Sequence, residues 1–283
     1  MGTANVKAIR NRIKSVDSTK HITKAMELVA SSKIRRASER MEKSREYREI
    51  MLDAFAELSG EESVYSVKRD ESMPCVYIVI AGDRGLAGGY NNNIFRTSMS
   101  VLKENDIVIP IGKRALDYYS KRNYRQLPEL CCGSVEHFTS IEGAKIADLI
   151  KELYDNNQIC RVCLISTRFN TMLSQTTETT TLLPLGELAD ERKSEITVES
   201  IRPEYEPSLE EIQAALIREY ISGVLCSYVA EAYASELAAR RSAMDTATKN
   251  ADEMLENLNI TYNRARQGAI TQEITEIVAG ANA

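Results

Sequence analysis

The stretch whose residue types come closest to a ligand-binding loop covers residues 81–93, Ala-Gly-Asp-Arg-Gly-Leu-Ala-Gly-Gly-Tyr-Asn-Asn-Asn. It follows a β-branched run and precedes a predicted helix, which is where phosphates bind in doubly wound sheets. The loop matches neither G-x-x-x-x-G-K-[ST] nor G-x-G-x-x-G, and it lacks the lysine that reaches a phosphate and the hydroxyl that holds magnesium. Tight turns would account for its glycines without a ligand. Nucleotide binding is therefore the less favoured interpretation, and no cofactor is predicted.

Side chains that bind metals or act as nucleophiles are sparse. The chain has two histidines and contains no G-x-S-x-G or H-E-x-x-H motif. Cys160 and Cys163 form a C-x-x-C, and Cys131 and Cys132 would complete a tetrad of the kind that binds zinc. The C-x-x-C segment is also typical of a buried strand, where cysteine behaves as a small hydrophobe, and we favour that interpretation. The sequence predicts no catalytic residue, no metal site and no self-contained active site.

Charge is distributed unevenly along the chain, which carries a formal net charge of −5 at pH 7. Residues 1–40 hold ten lysines and arginines against Asp17, Glu27 and Glu39, whereas acidic residues concentrate between 187 and 211. A basic helix can contact nucleic acid or anionic lipid. It can equally be solvated or meet an acidic protein surface, and we favour that interpretation. The sequence contains no apolar run of membrane-spanning length and no recognisable secretory signal.

The longest element that must position these residues covers residues 208–283, which contain no proline and only three glycines. Proline would cost about 3 kcal/mol in a helix interior. The stretch therefore predicts one continuous helix of roughly 110 Å at about 1.5 Å per residue. Alternating spacings of three and four predict the seam of a left-handed coiled coil, formed by Ala251, Leu255, Leu258, Tyr262, Ala265 and Ala269. After a phase shift of one residue we expect the stripe to continue to the last turn through Ile270, Ile274, Ile277 and Ala281.

A second long helix is predicted over residues 3–59, which contain neither proline nor glycine. The seam spacing begins and later resumes at Val6, Ile9, Ile13, Val16 and at Ile34, Ala37, Met41. Between them the seam positions hold Lys20, Thr23 and Glu27, while a neighbouring face carries the apolar Ile22, Met26 and Val29. Two interpretations stay open for this segment. It is either a local drift of the supercoil or an apolar surface for something other than the partner helix.

The middle of the chain predicts an α/β domain, because all six prolines and nine of the 13 glycines lie between Gly60 and Pro207. Predicted strands (76–81, 107–111, 162–166 and an edge strand 176–183) alternate with predicted helices (92–103, 113–121 and 141–154). This alternation predicts an open, mostly parallel sheet with flanking helices, a Rossmann-like topology. The expected domains are an N-terminal coiled-coil helix (1–60), the central α/β domain with an acidic linker (61–207) and a C-terminal coiled-coil helix (208–283). The two terminal helices must pair antiparallel, leaving about 20 residues of the C-terminal helix in excess.

Three segments resemble one family. The end of the chain, Ile-Thr-Gln-Glu-Ile-Thr-Glu-Ile-Val-Ala-Gly-Ala-Asn-Ala (270–283), closely resembles the C-terminal signature of the γ subunits of F-type ATP synthases. Residues 22–33, Ile-Thr-Lys-Ala-Met-Glu-Leu-Val-Ala-Ser-Ser-Lys, are similar to the N-terminal motif of that family. Residues 83–91 resemble its glycine loop, with Ala87 where cysteine is common. The three motifs stand in the family's order and cover essentially the whole chain.

The resemblance implies that the chain is the rotor shaft of an ATP synthase. In this family the terminal helices form an antiparallel coiled coil inside a ring of alternating α and β subunits. The foot rests on the membrane c-ring and holds the ε subunit. Proton or sodium flow turns the c-ring, and the angle of the shaft biases which β site is open, a population shift driven by differential contact energy. The chain itself is then non-catalytic, and it binds no cofactor and no nucleic acid.

The resemblance also implies roles for particular positions. Met26 would face the moving lever of β. Six further positions would contact β and tune coupling: Arg240, Arg266, Gln267, Thr271, Glu273 and Glu276. Tyr205 and Glu206 match foot residues near the polar loop of the c-ring. A helix end bearing such groups offers charge-assisted bonds that break and reform at each step. For each residue the alternative is a solvated face of the coiled coil.

With no presequence recognisable, the resemblance implies a bacterial enzyme held peripherally at the cytoplasmic face of the plasma membrane. Two functions of other classes stay as alternatives. A free-standing coiled-coil adaptor would purify alone as an ordered monomer or homodimer. A nucleotide-dependent α/β enzyme would bind ATP or NAD saturably as an isolated chain.

Overall fold

The computed structural model describes residues 2–57, 64–127, 130, 132–185, 206 and 208–281. The chain begins with helix α1 (Gly2–Glu57) and ends with helix α5 (Leu209–Ala281). Both long helices predicted from the scarcity of proline and glycine are confirmed, each ending within two residues of its expected bounds. None of the described helices combines the length and the apolar composition needed to cross a bilayer.

In the described residues between them lie three shorter helices and five strands. The helices are α2 (Tyr90–Val101), α3 (Lys113–Tyr119) and α4 (Ser140–Asp155). The strands are β1 (Val76–Ile80), β2 (Ile107–Ile111), β3 (Arg125–Gln126), β4 (Val162–Phe169) and β5 (Gln175–Leu183). The two-residue β3 was not predicted, because two residues are too few to show a period.

The strands form one sheet in the order β3-β2-β1-β4-β5. β1 pairs in parallel with β2 (Ile78 opposite Ile109) and with β4 (Ile78 opposite Leu164). The threonine-rich β5 runs antiparallel to β4 at the edge, with its start at Gln175 opposite Phe169. The expected open, mostly parallel sheet with an edge strand over residues 176–183 is therefore confirmed.

Both faces of the sheet are covered by helices, because successive side chains of a buried strand point to opposite faces. Ile78 and Ile80 of β1 belong to a core shared with α4 and with the first half of α5. Tyr77 and Val79 belong to a second core shared with α2 and α3. The continuous burial of β1 and β2 explains why these strands show no polar alternation.

The chain divides into two compact units. One, here the α/β unit, comprises Lys33–Ala239; the other, here the helix-pair unit, comprises Met1–Ser32 and Arg240–Ala283. Each contains a stretch of α1 paired with a stretch of α5. The division into 1–60, 61–207 and 208–283 stays a prediction, and its boundaries at Gly60 and Pro207 lie outside the described residues.

Within the α/β unit, α1 and α5 are joined by apolar contacts and by a buried ionic cluster. Met41 and its seam neighbours pack on Leu237 and the adjacent alanines of α5. Glu231, whose side chain is 1% exposed, accepts hydrogen bonds from Arg45 Nη2 at 2.5 Å and from Arg48 Nη1 at 2.6 Å. Burial alone would raise the pKa of Glu231, but the charges of Arg48 and Arg45 outweigh it and lower the pKa below its usual range.

Candidate functional site on the paired helices

The seam of the helix-pair unit is narrow and partly polar. Thr23 and Thr248 are each 8% exposed, and their hydroxyl oxygens lie 2.8 Å apart across the seam. Thr248 Oγ1 also lies 2.8 Å from the Met244 carbonyl oxygen, so one hydroxyl can donate across the seam while the other donates to its own helix. A buried polar pair of this kind favours one register of the two helices over the others.

Ion pairs surround this threonine pair. Lys20 Nζ lies 2.5 Å from Asp252 Oδ1, which joins the two helices one turn away from Thr23. The hydrogen bond from Lys249 to Asp245, at 2.7 Å, lowers the pKa of Asp245 and raises that of Lys249. Thr23 with Thr248 and Lys20 with Asp252 show that α1 and α5 run antiparallel here, as the sequence predicts.

The α1 segment from Ile22 to Val29, for which the sequence left two interpretations open, carries apolar side chains outside the seam. Thr23 occupies the seam, whereas Ile22 is 60% exposed and Val29 is 57% exposed. Met26 is half-buried beside them. The helix-pair unit therefore presents an apolar stripe that α5 does not cover.

The seam predicted for α5 is confirmed as far as Ala269. Ala251 is buried, and the seam positions that follow it are half-buried: Leu255, Leu258, Tyr262, Ala265 and Ala269. Extending the register to Gly2 places the start of α1 opposite about residue 269. About 12 residues of α5 then extend past the start of α1. They are part of the excess length of the C-terminal helix, since α5 has 73 residues and α1 has 56.

The end of α5 is exposed on all sides. Every residue in 271–279 is exposed, and Ile270, Ile274 and Ile277 are 47%, 56% and 70% exposed. The isoleucine stripe predicted to continue the seam is present at the expected spacing, but it packs on no other part of the described chain, because α1 has ended. This helix end is apolar on one stripe and polar on the others.

The predicted contact positions fall into separate groups. Arg266, Gln267, Thr271, Glu273 and Glu276 lie together on the exposed end of α5. Within it, Thr271 Oγ1 donates to the Gln267 carbonyl at 3.0 Å and Gln272 Nε2 donates to Glu276 at 2.9 Å.

The other predicted positions lie elsewhere. Arg240 begins the helix-pair unit on α5, about 40 Å along the helix from Arg266, and it is only 8% exposed. The register places Met26 opposite about residue 245, at the same end of the unit as Arg240. Glu206 is exposed and belongs to the α/β unit, and Tyr205 lies outside the described residues.

Thr248 and Asp252, the α5 partners of Thr23 and Lys20, were not predicted from the sequence. The signal for Thr248 was present, since the three-four spacing extended back from Ala251 reaches Thr248 and Met244. Asp252 gave no signal, because an acid beside a seam residue is ordinary on a coiled-coil surface.

The glycine loop is bound to the protein's own side chains. The Gly82 N–H donates to Asn91 Oδ1 at 2.9 Å, and the Asp83 N–H donates to Glu236 Oε2 at 3.4 Å. A Cβ on Gly82 would lie 2.7 Å from the Glu236 carboxyl carbon. In phosphate-binding loops such N–H groups face the anion, whereas here a carboxylate already occupies that space. The geometry does not favour a nucleotide.

Asp83 connects the same loop to the chain after β3. Its carboxylate accepts hydrogen bonds from Ser134 Oγ at 2.9 Å, from the Val135 N–H at 2.8 Å and from the Glu136 N–H at 3.2 Å. In the described part of the chain, no group of three or more His, Cys, Asp or Glu side chains could hold a metal ion. The polar residues of the loop thus stabilise the fold around α5.

Two long antiparallel helices, an α/β domain inserted between them and a bare helix end define a stalk-type subunit. The family model described as ATP synthase matches residues 5–283. The ATP synthase gamma chain of Ruminiclostridium cellulolyticum is 38% identical over 290 residues, covering 99% of this chain and 98% of that protein. That of Ruminococcus albus is 40% identical, covering 97% and 96%. The chain belongs to the family of ATP synthase γ chains, and it is a non-catalytic subunit.

A solved structure shares the fold. A chain in the cryo-EM structure of the Euglena gracilis mitochondrial ATP synthase (OSCP/F1/c-ring, rotational state 3) superposes with a TM-score of 0.71 at 20% identity. The match covers 99% of this chain and 94% of that one. The similarity therefore includes both long helices and the inserted domain.

Proposed function

We propose that this chain is the central rotor shaft of an F-type ATP synthase. It couples ion-driven rotation of the c-ring to conformational cycling of the β catalytic sites, for ATP synthesis or hydrolysis. The observation that carries this proposal is the match to ATP synthase γ chains over residues 5–283, which includes both helix ends. The α and β subunits, the ε subunit and the c-ring are the partners that follow from it.

The exposed end of α5 supports contact with the α and β subunits. Ile270, Ile274 and Ile277 expose an apolar stripe on a helix that has outrun its partner. Exposing such a stripe to water costs free energy, and burial inside the ring of α and β subunits would remove that cost. Arg266, Glu273 and Glu276 on the same turns supply charges that exchange partners as the shaft turns.

The apolar stripe around Met26 supports contact with the moving lever of β. Ile22, Met26 and Val29 form the uncovered apolar stripe, and the antiparallel register places Arg240 nearby. Because one side of the helix pair differs from the other, successive β subunits meet different surfaces as the pair rotates. Differential contact free energy is what a shaft needs in order to bias open and closed states.

The remaining assignments concern the foot and the location. Tyr205 and Glu206 are proposed to lie near the polar loop of the c-ring, and the three parts 1–60, 61–207 and 208–283 are proposed as shaft, foot and shaft. The complex would sit peripherally at the cytoplasmic face of a bacterial plasma membrane. The basic residues of 1–40 suit an acidic protein surface better than nucleic acid.

Assembly tests this function. The chain is co-expressed with its cognate α, β and ε subunits, and a variant ending after Ala265 is compared with one ending after Ala279. We expect the longer variant to give a stable, ATP-hydrolysing complex. The shorter one should weaken assembly or torque while nucleotide binding to β persists. Purification of this chain as a stable homodimer that ignores α and β would contradict the proposal and favour an adaptor.

A second test addresses Met26. Met26→Lys places a charge in the uncovered apolar stripe and should reduce proton-coupled activity, whereas Lys7→Met, at an exposed position of the same helix, serves as the control. Full coupled activity with Met26→Lys would remove this residue from the contact.

A further inference from the structure

The α/β unit contains a basic cavity at the edge of the sheet where β1 and β4 begin. It has a volume of about 140 Å³ and is lined by four cationic side chains, Lys68, Arg69, Lys103 and Arg161, against one carboxylate, Glu71. Arg69 is held in place by the carbonyl oxygens of Tyr154 and Ile159. The net positive charge of this wall attracts small anions.

Two cysteines form another part of the wall. Cys75 Sγ lies 3.1 Å from Cys160 Sγ, and Cys160 Sγ lies 3.2 Å from the Met73 carbonyl oxygen. Their backbones are neighbours, since the Cys160 N–H donates to the Pro74 carbonyl and the Val76 N–H to the Arg161 carbonyl. A disulfide has a sulfur–sulfur distance of about 2.05 Å, so closing the bond needs a movement of roughly 1 Å.

The two thiols differ in access. Cys160 is 5% exposed, whereas Cys75 is half-buried and faces the cavity. An oxidant in the cavity therefore meets Cys75 first and leaves Cys160 as the resolving thiol. Burial raises the pKa of the Cys75 thiol, and its hydrogen bond to Cys160 raises it further. The thiolate is consequently scarce at neutral pH, and reaction should accelerate as pH rises.

We propose that Cys75 and Cys160 are a redox-active dithiol that is oxidised by a small-molecule disulfide whose anionic groups contact the cations lining the basic cavity. The Cys75 thiolate attacks one sulfur of the ligand, breaks its S–S bond and releases one thiolate, which takes up the proton that Cys75 lost. The Cys160 thiolate then attacks the Cys75 sulfur, breaks the mixed disulfide and closes the protein disulfide. The second small molecule leaves as a thiolate, which takes up the Cys160 proton. The protein loses two electrons, and the ligand is reduced to two thiols.

The bond would tie the start of β1 to the segment before β4, 85 residues later in the chain. Two central, parallel strands would then be joined covalently at one end. Because cross-linking distant residues limits the unfolded ensemble, the oxidised chain should unfold at a higher temperature than the reduced one.

Glutathione disulfide is a suitable probe, since it is anionic at neutral pH. The reduced, full-length protein is incubated with it, and the intact mass and the proteolytic peptides are measured. We expect a loss of about 2 Da, corresponding to one disulfide, and a linked peptide pair containing Cys75 and Cys160. Cys160→Ser should stop at a glutathione adduct on Cys75, and Cys226→Ser should behave as wild type.

Oxidation by a neutral disulfide, hydroxyethyl disulfide, distinguishes the effect of the cavity's charge from the reactivity of the two thiols. Lys103→Gln with Arg161→Gln should slow oxidation by glutathione disulfide by a factor on the order of 10, while oxidation by the neutral disulfide changes little. Equal slowing of both reagents would overturn the role of the cavity. A linked pair other than Cys75 and Cys160, or no mass loss in folded wild type, would overturn the dithiol. The peptide map of the wild type needs no substitution, so a variant that fails to fold leaves this test intact.

Discussion

Removing the carboxylate of Glu231 should strongly destabilise the α/β unit. Glu231 accepts hydrogen bonds from Arg45, from Arg48 and from the Phe169 N–H, the last at 3.1 Å. The Glu231 side chain is 1% exposed and that of Arg48 is 6% exposed, and the Arg48 guanidinium lies 4.2 Å from the centroid of the Tyr228 ring. Glu231→Gln keeps the shape but leaves the Arg48 charge buried beside a neutral amide.

The expected cost follows from this burial. Breaking one side of a buried ion pair typically costs about 3–5 kcal/mol. Arg45 contributes less, because its side chain is 38% exposed and solvent screens its charge, so Arg45→Gln should cost no more than about 1 kcal/mol. The double variant Glu231→Leu with Arg48→Met removes both charges and should recover most of the loss, to within about 1–2 kcal/mol of wild type.

Urea unfolding of the purified chain, followed by circular dichroism, measures these differences. The ranking is decisive: Glu231→Gln must be the least stable of the three variants. If Glu231→Gln costs less than about 1 kcal/mol, or if the apolar double variant is less stable than it, the ion pair does not act as described.

Three further outcomes are expected. Thr23→Val removes the hydrogen bond across the seam but leaves Thr248 bonded to the Met244 carbonyl, so it should cost about 0.5–1.5 kcal/mol. Adding Thr248→Val should cost less than the two single changes together. Thermal unfolding of the wild type, both single variants and the double variant gives the coupling energy, and strict additivity would show that the hydroxyls do not interact. Folding lowers the pKa of Glu231 from 4.5, so its ionised carboxylate contributes fully to the free energy of unfolding above pH 4.5. This contribution is lost as the pH falls through the lower pKa of the folded state. The free energy of unfolding should therefore fall more steeply with acid in the wild type than in Glu231→Gln, and parallel curves would refute this. Gly112 has a φ of +93°, and a Cβ there would lie 2.0 Å from the Ala81 carbonyl oxygen, so Gly112→Ala should prevent folding. A Cβ at Gly268 would have nothing within 4 Å, so Gly268→Ala should stabilise α5 by up to about 1 kcal/mol. Soluble yield and melting temperature are measured for both variants, and a normal melting temperature for Gly112→Ala would contradict the strain.

Features encoded by local repetition could be predicted from the sequence. The seam from Ala251 to Ala269 and the burial of Val76–Ile80 depend on spacing and composition alone, and both have the expected residues facing inward. The same dependence on spacing explains why the seam was predicted too far along α5. Ile274 and Ile277 keep the spacing of a seam, but spacing cannot tell where the partner helix ends, and they are exposed.

Features that depend on distant pairing could not be predicted. Glu231 and Arg48 have ordinary charged-helix surroundings in sequence, and only the register of α1 on α5 brings them together across 183 positions. The contacts of Asp83 and Glu236 could not be predicted for the same reason. The sequence gives no local sign that the Asp83 carboxylate binds residues 134–136 or that Glu236 accepts a hydrogen bond from the loop. The roles proposed for Met26 and for the end of α5 rest on motif resemblance rather than on periodicity.

Rotation is the property on which the whole account depends. A bead attached to the α/β unit of this chain, in a complex immobilised through its α and β subunits, is observed during ATP hydrolysis. We expect sustained rotation in one direction that stops when ATP is removed. A complex that hydrolyses ATP at a normal rate while the bead shows only undirected motion would contradict it.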